Sequence, residues 1–289
     1  HRDLHSLRRR QRQMCIRDSN YTFPSEGLYN ITAELKDNIS QVDTDTVWVH
    51  VDWTPPTVSI DAPPDGAKVR GVVQITVTAD DANFDRCELL INGTSIVNWT
   101  TPGTNTYNWD TTTENDDVYI IVAKAYDLAG NVDSDSVTVT VDNTAPSVLI
   151  VSPSDGSYLR GVVTINVSWN DTNPDKCELY INGTLYTTWT TTGYVTYDWD
   201  TTVETEGPYT IEARAYDLAG NMANHQITVT VDNSPPTVVI TDPQNDSAVG
   251  RTFTVYWNAS DNVSYIDRVE IYLNGTLNTT YVYGINMTN

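Results

Sequence analysis

Cysteine, histidine, phenylalanine and methionine are scarce in this chain, and basic residues are few: 3 Cys, 4 His, 3 Phe and 3 Met in 289 residues, with 16 Lys+Arg against 38 Asp+Glu. Each shortage excludes something. Cys87 and Cys177 stand 90 residues apart, one per repeat, and neither has a partner inside its own repeat, so no disulfide framework is expected. Beyond the first nineteen residues only His50 and His225 occur, at non-equivalent positions expected on the surface. There is no His-Glu-x-x-His, Gly-x-Ser-x-Gly, phosphate-binding glycine loop or Cys-x-x-Cys. Catalysis is therefore not expected of this segment. No stretch of 18 apolar residues exists, so no membrane span is expected here.

Residues 1–19 stand apart. They hold Arg2, Arg8, Arg9, Arg10, Arg12 and Arg17, six of the 16 basic residues. The run Met14-Cys15-Ile16-Arg17-Asp18-Ser19 resembles the translation of a sequencing-library adapter, and the segment lacks the apolar core of a secretory signal. We read 1–19 as an artefact without ordered structure. Removing it leaves 10 Lys+Arg (16 less 6) and 36 Asp+Glu (38 less Asp3 and Asp18), a net charge of −26. Such a surface repels nucleic acid and anionic membranes.

What is present is a repeat. Thr54–Asn143 and Thr144–Asn233 align without a gap at a period of 90. Both open on Thr-Pro-Pro or Thr-Ala-Pro and close on Tyr-Asp-Leu-Ala-Gly-Asn followed by Thr-Val-Thr-Val-Asp-Asn. A third copy starts at Ser234, and residues 20–53 match the tail of an earlier one. Arrays of this kind are structural or binding devices.

Within each repeat, period-two alternation dominates. Tyr209, Ile211, Ala213 and Ala215 share one face of a strand, and Thr210, Glu212 and Arg214 the other. Asp65-Gly66, Asn92-Gly93 and Ala129-Gly130-Asn131, with their counterparts 90 residues on, mark turns. About seven strands fit per repeat, the size of an immunoglobulin-like sandwich. Tyr29, Tyr119 and Tyr209 each stand two residues before a core position, where a tyrosine corner lies. Cys87 and Cys177 correspond to Val269, which marks a small apolar core site. Trp109 and Trp199 alternate with Tyr107 and Tyr197, which favours the core over a sugar-stacking platform.

The motifs Trp109-Asp110-Thr111-Thr112, Trp199-Asp200-Thr201-Thr202, Asp127–Asn131 and Asp217–Asn221 resemble those of the bacterial Ig-like repeat, a module of secreted hydrolases, proteases and cell-surface proteins. The resemblance implies an all-β chain of tandem immunoglobulin-like sandwiches joined end to end. Residues 20–53 would be the C-terminal part of an Ig-like or PKD-like domain, 54–143 and 144–233 complete repeats, and 234–289 a truncated one. It implies a non-catalytic extracellular spacer or adhesion segment of a secreted or surface-anchored prokaryotic protein. The alternative is a set of accessory modules, spacing or carbohydrate-binding, in a large secreted hydrolase. Partners would be cell-surface polysaccharide or protein, and the segment a monomeric rod; no organic cofactor is expected.

Two further expectations concern sites. Loops that meet at the junctions would bring Asp142 towards Asp171, Asp217 and Asn221, and Asp232 towards Asp261, an oxygen set suited to Ca²⁺. Asn-x-Ser/Thr sequons exceed the number expected by chance and mark an exported glycoprotein, with candidates Asn30, Asn38, Asn98, Asn166, Asn170, Asn245, Asn258, Asn262, Asn278 and Asn286. In Asn92, Asn182 and Asn274 the Asn-Gly-Thr sequence is also ordinary hairpin chemistry.

Overall fold

The computed structural model describes residues 20–282, so the segment 1–19 and Asn286 lie outside the described residues. Among the described residues every regular element is a strand, apart from two single 3-10 turns, Thr111–Thr113 and Thr201–Val203. Two compact units emerge, and their division crosses the repeat 54–143. One holds the described residues up to Asp61 with Thr76–Thr106 and Ile121–Ser136, the other Ala62–Ile75, Tyr107–Ile120 and the described residues from Val137 on.

In the first unit, β1 (Gly27–Lys36) and β2 (Val42–Val51) form an antiparallel hairpin. Its turn is held by Asp37 Oδ1, which accepts from the Ile39 and Gln41 N–H groups. Leu28, Ile31, Leu35, Val47 and Trp48 are exposed. The repeat 54–143 supplies β3 (Thr57–Ala62), β4 (Lys68–Val69), β5 (Val72–Asp80), β6 (Phe84–Ile91), β7 (Thr94–Trp99), β8 (Gly103–Asp110), β9 (Val118–Asp127) and β10 (Val132–Val141). Its sheets run β3-β5-β8 and β4-β10-β9-β6-β7.

The second unit contains the whole of the next repeat: β11 (Ser147–Ser152), β12 (Tyr158–Leu159), β13 (Val162–Asn170), β14 (Pro174–Ile181), β15 (Thr184–Trp189), β16 (Gly193–Asp200), β17 (Gly207–Asp217) and β18 (Met222–Val231). Its sheets run β11-β13-β16 and β12-β18-β17-β14-β15, the same order as before. Eight strands therefore replace the seven expected. The first strand splits at Pro63 and Pro153, which have no N–H to give a ladder; the remainder, β4 or β12, pairs parallel with the last strand instead.

The core lies between the sheets, built by the inward half of each alternation. Ile165, Val167 and Trp169 from β13 meet Cys177, Leu179 and Ile181 from β14 and Ile211, Ala213 and Ala215 from β17. Cys87 and Cys177 are fully buried, and Val269 occupies the same site in the third repeat. Burial pushes the two thiols up to about 11 and about 12. Trp109 and Trp199 are core residues, each edge-on to the following tyrosine, Tyr119 or Tyr209, at 5.2 and 5.3 Å between ring centres. Tyr119 Oη donates to Asn115 O and Tyr29 Oη to Ser25 O, four residues back in each case. Tyr209 Oη instead meets Thr205 Oγ1 and Glu204.

The Trp-Asp-Thr-Thr motif has a local explanation. Asp110 and Asp200 cap the 3-10 turns, accepting from the N–H and hydroxyl of Thr112 or Thr202. The buried Thr111 and Thr201 hydroxyls donate across the sandwich end to Gly71 O and Gly161 O. Asn92 and Asn182, with the glycines that follow, have positive φ throughout, as a two-residue hairpin turn requires.

Of the remaining chain, β19 (Thr237–Asp242) pairs with β20 (Tyr256–Ser260), and β21 (Arg268–Leu273) with β22 (Thr276–Val282). Val238, Val239, Ile240 and Tyr256 are exposed.

Candidate functional site

The densest polar constellation is the junction at Asp142-Asn143-Thr144. Each of its residues is fastened by name. On the side of the preceding repeat, the Asp142 N–H donates to Val69 O. Asn143 Oδ1 accepts from Gly71 N at 3.0 Å, and its Nδ2 donates to Thr111 O at 2.9 Å. The Asn143 N–H and the Thr144 hydroxyl both donate to the Asp116 carboxylate, which holds that carboxyl below its ordinary range, the hydroxyl being the larger cause.

The side of the following repeat is tied as closely. Asn173 Nδ2 donates to Asp142 Oδ2 at 2.7 Å. Asn221, in the turn between β17 and β18, donates through Nδ2 to Asp142 O at 2.8 Å and to Asp217 Oδ2 at 2.6 Å. Its own N–H reaches Asp217 Oδ1 at 2.7 Å. Asp142 and Asp217 are each 3% exposed and Asn221 7%, so these bonds are shielded from water. The turn uses Gly220 at φ +90°, and a Cβ there would sit 3.5 Å from Arg70 Nε of the preceding repeat.

The structure thus brings together four of the expected residues: Asp142, Asp171, Asp217 and Asn221. Carboxylate oxygens of the three aspartates lie within 4.8 Å of one another. Asp171 has its carboxyl raised, first by burial and then by the negative charges of Asp142, Asp217 and Asp116. Hard oxygens crowded in this way suit Ca²⁺ in kind. Two of those oxygens, Asp142 Oδ2 and Asp217 Oδ2, already accept from asparagine amides, so an ion would compete with an existing clasp.

Asp232 and Asp261 form no such cluster with a third carboxylate among the described residues. Asp261 turns its Oδ1 to the Val263 and Ser264 N–H groups, which lowers its carboxyl. Val263 stands where Asn173 reaches back to Asp142 Oδ2 in the other junction. Asp232 Oδ1, whose counterpart in Asp142 accepts from the Thr144 N–H, is buried without a hydrogen bond. Asn233 keeps its half of the joint, donating to Thr201 O.

A second cluster was not anticipated. Asp52, Asp81 and Asp127 repeat the arrangement, again with oxygens within 4.8 Å. Asn83 donates to Asp52 Oδ2 at 2.7 Å, and Asn131 to Asp127 Oδ2 at 2.6 Å and to Asp52 O at 3.2 Å. Glu26 takes the place of Asp116, accepting from Trp53 N and the Thr54 hydroxyl. Burial alone would raise Asp127; the Asn131 side chain and backbone outweigh it, and the carboxyl is held low. Subtracting 90 from each member of the other set finds this one.

The other expected positions are dispersed. Asn30, Asn38, Asn98, Asn170, Asn245, Asn258, Asn262 and Asn278 are exposed, and Asn166 is half-buried. His225, expected on the surface, is half-buried, and its Nδ1 accepts from Ile150 N at 3.3 Å; Asp135 does the same for Ile60 at 2.8 Å. No helix among the described residues is long and apolar enough to cross a membrane.

Solved structures similar to the chain include fibronectin(III)-like modules of Clostridium thermocellum CbhA (20% identity, 61% of this chain and 94% of that one, TM-score 0.42). A tetra-tandem repeat from the extending region of a large adhesion protein gives 18%, 81%, 70% and 0.33 for the same quantities. An endo-beta-1,4-mannanase from Thermotoga petrophila gives 17% identity and 0.29, with 32% of this chain covering only 21% of that enzyme. No curated protein matches significantly. The bacterial Ig domain family matches residues 56–141, 146–213 and 236–288, well over half of the sequence. The chain belongs to the bacterial Ig domain family.

Proposed function

We propose that this segment is a non-catalytic extracellular spacer, an array of Ig modules with repeats 54–143 and 144–233 as its units, that sets the distance between a surface and whatever it presents. The observation that carries the reading is the junction. Asp142-Asn143-Thr144 is hydrogen-bonded to Gly71, Thr111 and Asp116 behind it and to Asn173 and Asn221 ahead of it. A linker built into both neighbours resists bending and transmits load, which a spacer needs and a flexible tether does not. The acidic surface keeps such an array soluble and apart from nucleic acid. Cell-surface polysaccharide or protein are the partner classes this role implies. Ca²⁺ held by Asp142, Asp171 and Asp217 would take over two of the asparagine bonds and hold the same joint by neutralising the three charges.

The test is X-ray scattering of residues 20–289 beside the Asn131→Ala/Asn221→Ala double variant. The reading requires a longer, narrower distance distribution in the parent chain. Indistinguishable curves would sink it. Sequencing of the gene across both ends separates a surface stalk from the accessory region of a secreted hydrolase.

A further inference from the structure

We propose that Asn166 carries an N-linked glycan whose first sugar lies on Leu149, Val151 and Tyr194, on the outer face of the β11-β13-β16 sheet. The proposal rests on the extracellular reading above. In β13 the side chains of Ile165, Val167 and Trp169 point into the core, so Asn166 and Ser168 point out. Pairing puts Leu149 and Tyr194 on either side of Ser168, and Ser152 and Thr196 on either side of Asn166. Tyr194 is then diagonal to Asn166, within reach of an aromatic side chain. Tyr194 is 75% exposed, Leu149 50% and Val151 44%, an exposed apolar strip beside Asn166.

The neighbouring repeat shows what this face looks like without a sequon. There the equivalent positions hold Ser59, Asp61, Thr76, Thr78 and Thr104. They form a polar mesh: Ser59 Oγ to Asp61 at 2.9 Å, Thr78 Oγ1 to Asp61 at 2.6 Å and to Thr104 Oγ1 at 2.9 Å. The third repeat also has a sequon on this face, at Asn258, which stands at the place of Ser168, with Tyr256 at the place of Asn166; Val239 pairs directly with Asn258, and Val239 and Tyr256 are exposed. On this face a sequon and exposed apolar side chains occur together in two repeats, two positions apart on the strand, and the corresponding positions of the repeat 54–143 hold neither.

The asparagine itself is suitably turned. Asn166 Oδ1 is covered and makes no hydrogen bond, while the residue as a whole stays half-exposed. Nδ2, the atom a glycosidic bond uses, is not among the buried polar atoms left without a partner. In the transfer, the Nδ2–C1 bond forms and the C1–O bond of a lipid-linked phosphate sugar breaks. The phosphate leaves with the electron pair, and Nδ2 gives up a proton. The ring C–H edges of the attached sugar then meet the electron-rich face of Tyr194, with Leu149 and Val151 beside it.

Two measurements test this. In a Cys15→Ser background, Asn166→Cys is coupled to a single N-acetylglucosamine through its thiol; Cys87 and Cys177 are buried with raised thiols and do not compete. The melting transition of the repeat that carries the sugar should rise by about 4 °C, and the rise should vanish with Tyr194→Ala and be absent for the same conjugate at Thr76→Cys. Equal shifts at all three, or none, overturn the stacking. The second is glycopeptide mass spectrometry of the chain secreted from a host that modifies sequons. Sugar on the Asn166 peptide is expected. A bare Asn166 beside modified sequons elsewhere overturns this proposal alone; no modified sequon at all overturns it together with the extracellular reading.

Discussion

Replacing Asn221 tests the joint most directly. Asn221→Ala removes both Nδ2 bonds, to Asp142 O and to Asp217 Oδ2, and leaves the backbone bond to Asp217 Oδ1 in place. What remains is a buried carboxylate oxygen and a buried carbonyl without their donor. Each such orphan costs about 1–3 kcal/mol, and because the two share one amide the sum is less than additive, about 2–4 kcal/mol. Asn131→Ala should cost less, about 1–2 kcal/mol, because Asn131 is half-exposed and its bond to Asp52 O is longer, 3.2 Å. Asn221→Asp sharpens the test. It keeps the shape but sets a fourth carboxylate beside Asp142, Asp171 and Asp217, so at neutral pH it should be worse than alanine, and mild acid or millimolar Ca²⁺ should restore part of the loss. Several modules unfold in one chain, so a single unfolding free energy is not defined. Hydrogen exchange read by mass spectrometry on the 142–144 junction peptide and on β17–β18 isolates the effect. A loss under about 0.5 kcal/mol at the junction for Asn221→Ala, with Asn221→Asp no worse, would refute the clasp.

Other expectations follow from the same geometry. Trp199→Ala should destabilise its repeat by about 3–5 kcal/mol, measured as a lowered denaturation midpoint, while the half-buried Trp189 should cost well under that. His225→Asp should preserve the bond to Ile150 N, since Asp135 already does this work in the other repeat, whereas His225→Phe should lose about 1–2 kcal/mol in urea titration. Calcium added against a chelator should raise the melting temperature of the chain, and Asp171→Asn should abolish the rise; an unchanged melting temperature rejects the ion. In acid, Asp110, Asp116, Asp200 and Asp261 have folded-state carboxyls held below the unfolded value, so the unfolded chain takes up their protons first. Their stabilisation is complete above about pH 4 and disappears as pH falls further, which an acid melting series reads. Asp171, with its carboxyl raised, works the other way: its contribution is complete below about pH 4 and lost as pH rises through the higher folded value.

Why some of this was legible from residues alone, and some not, is a matter of distance along the chain. Alternation is local, so strands such as β17 and β18 and the inward faces of Trp199 and Tyr209 could be read directly. Turn chemistry is local too: Asp217 and Asn221, four apart, form their own bond, and the same pattern writes the Asp-x-Ala-Gly-Asn motif into each complete repeat. The splitting of the first strand was missed because the partner that makes a strand of the segment after Pro153 is the last strand, 72 residues on. The joint is harder still. Asn143 depends on Thr111 and Gly71, 32 and 72 residues away, and Asn221 on Asp142, 79 away. No window of sequence contains those pairs. Asn83 and Asn173 carry no signature of their own, sitting beside a conspicuous aspartate that already serves as a turn former. Only the repeat makes them visible, because what one junction does the other must do 90 residues earlier. Where the repeat lapses, the inference lapses with it: Val263 replaces the asparagine that bonds Oδ2 of Asp52 and Asp142 in the other junctions, and the anticipated Asp232–Asp261 site has no third carboxylate among the described residues. Putting an asparagine back at Val263 should therefore tie Asp232 as Asn173 ties Asp142, and slower exchange at the Asp232–Asn233 amides would register it.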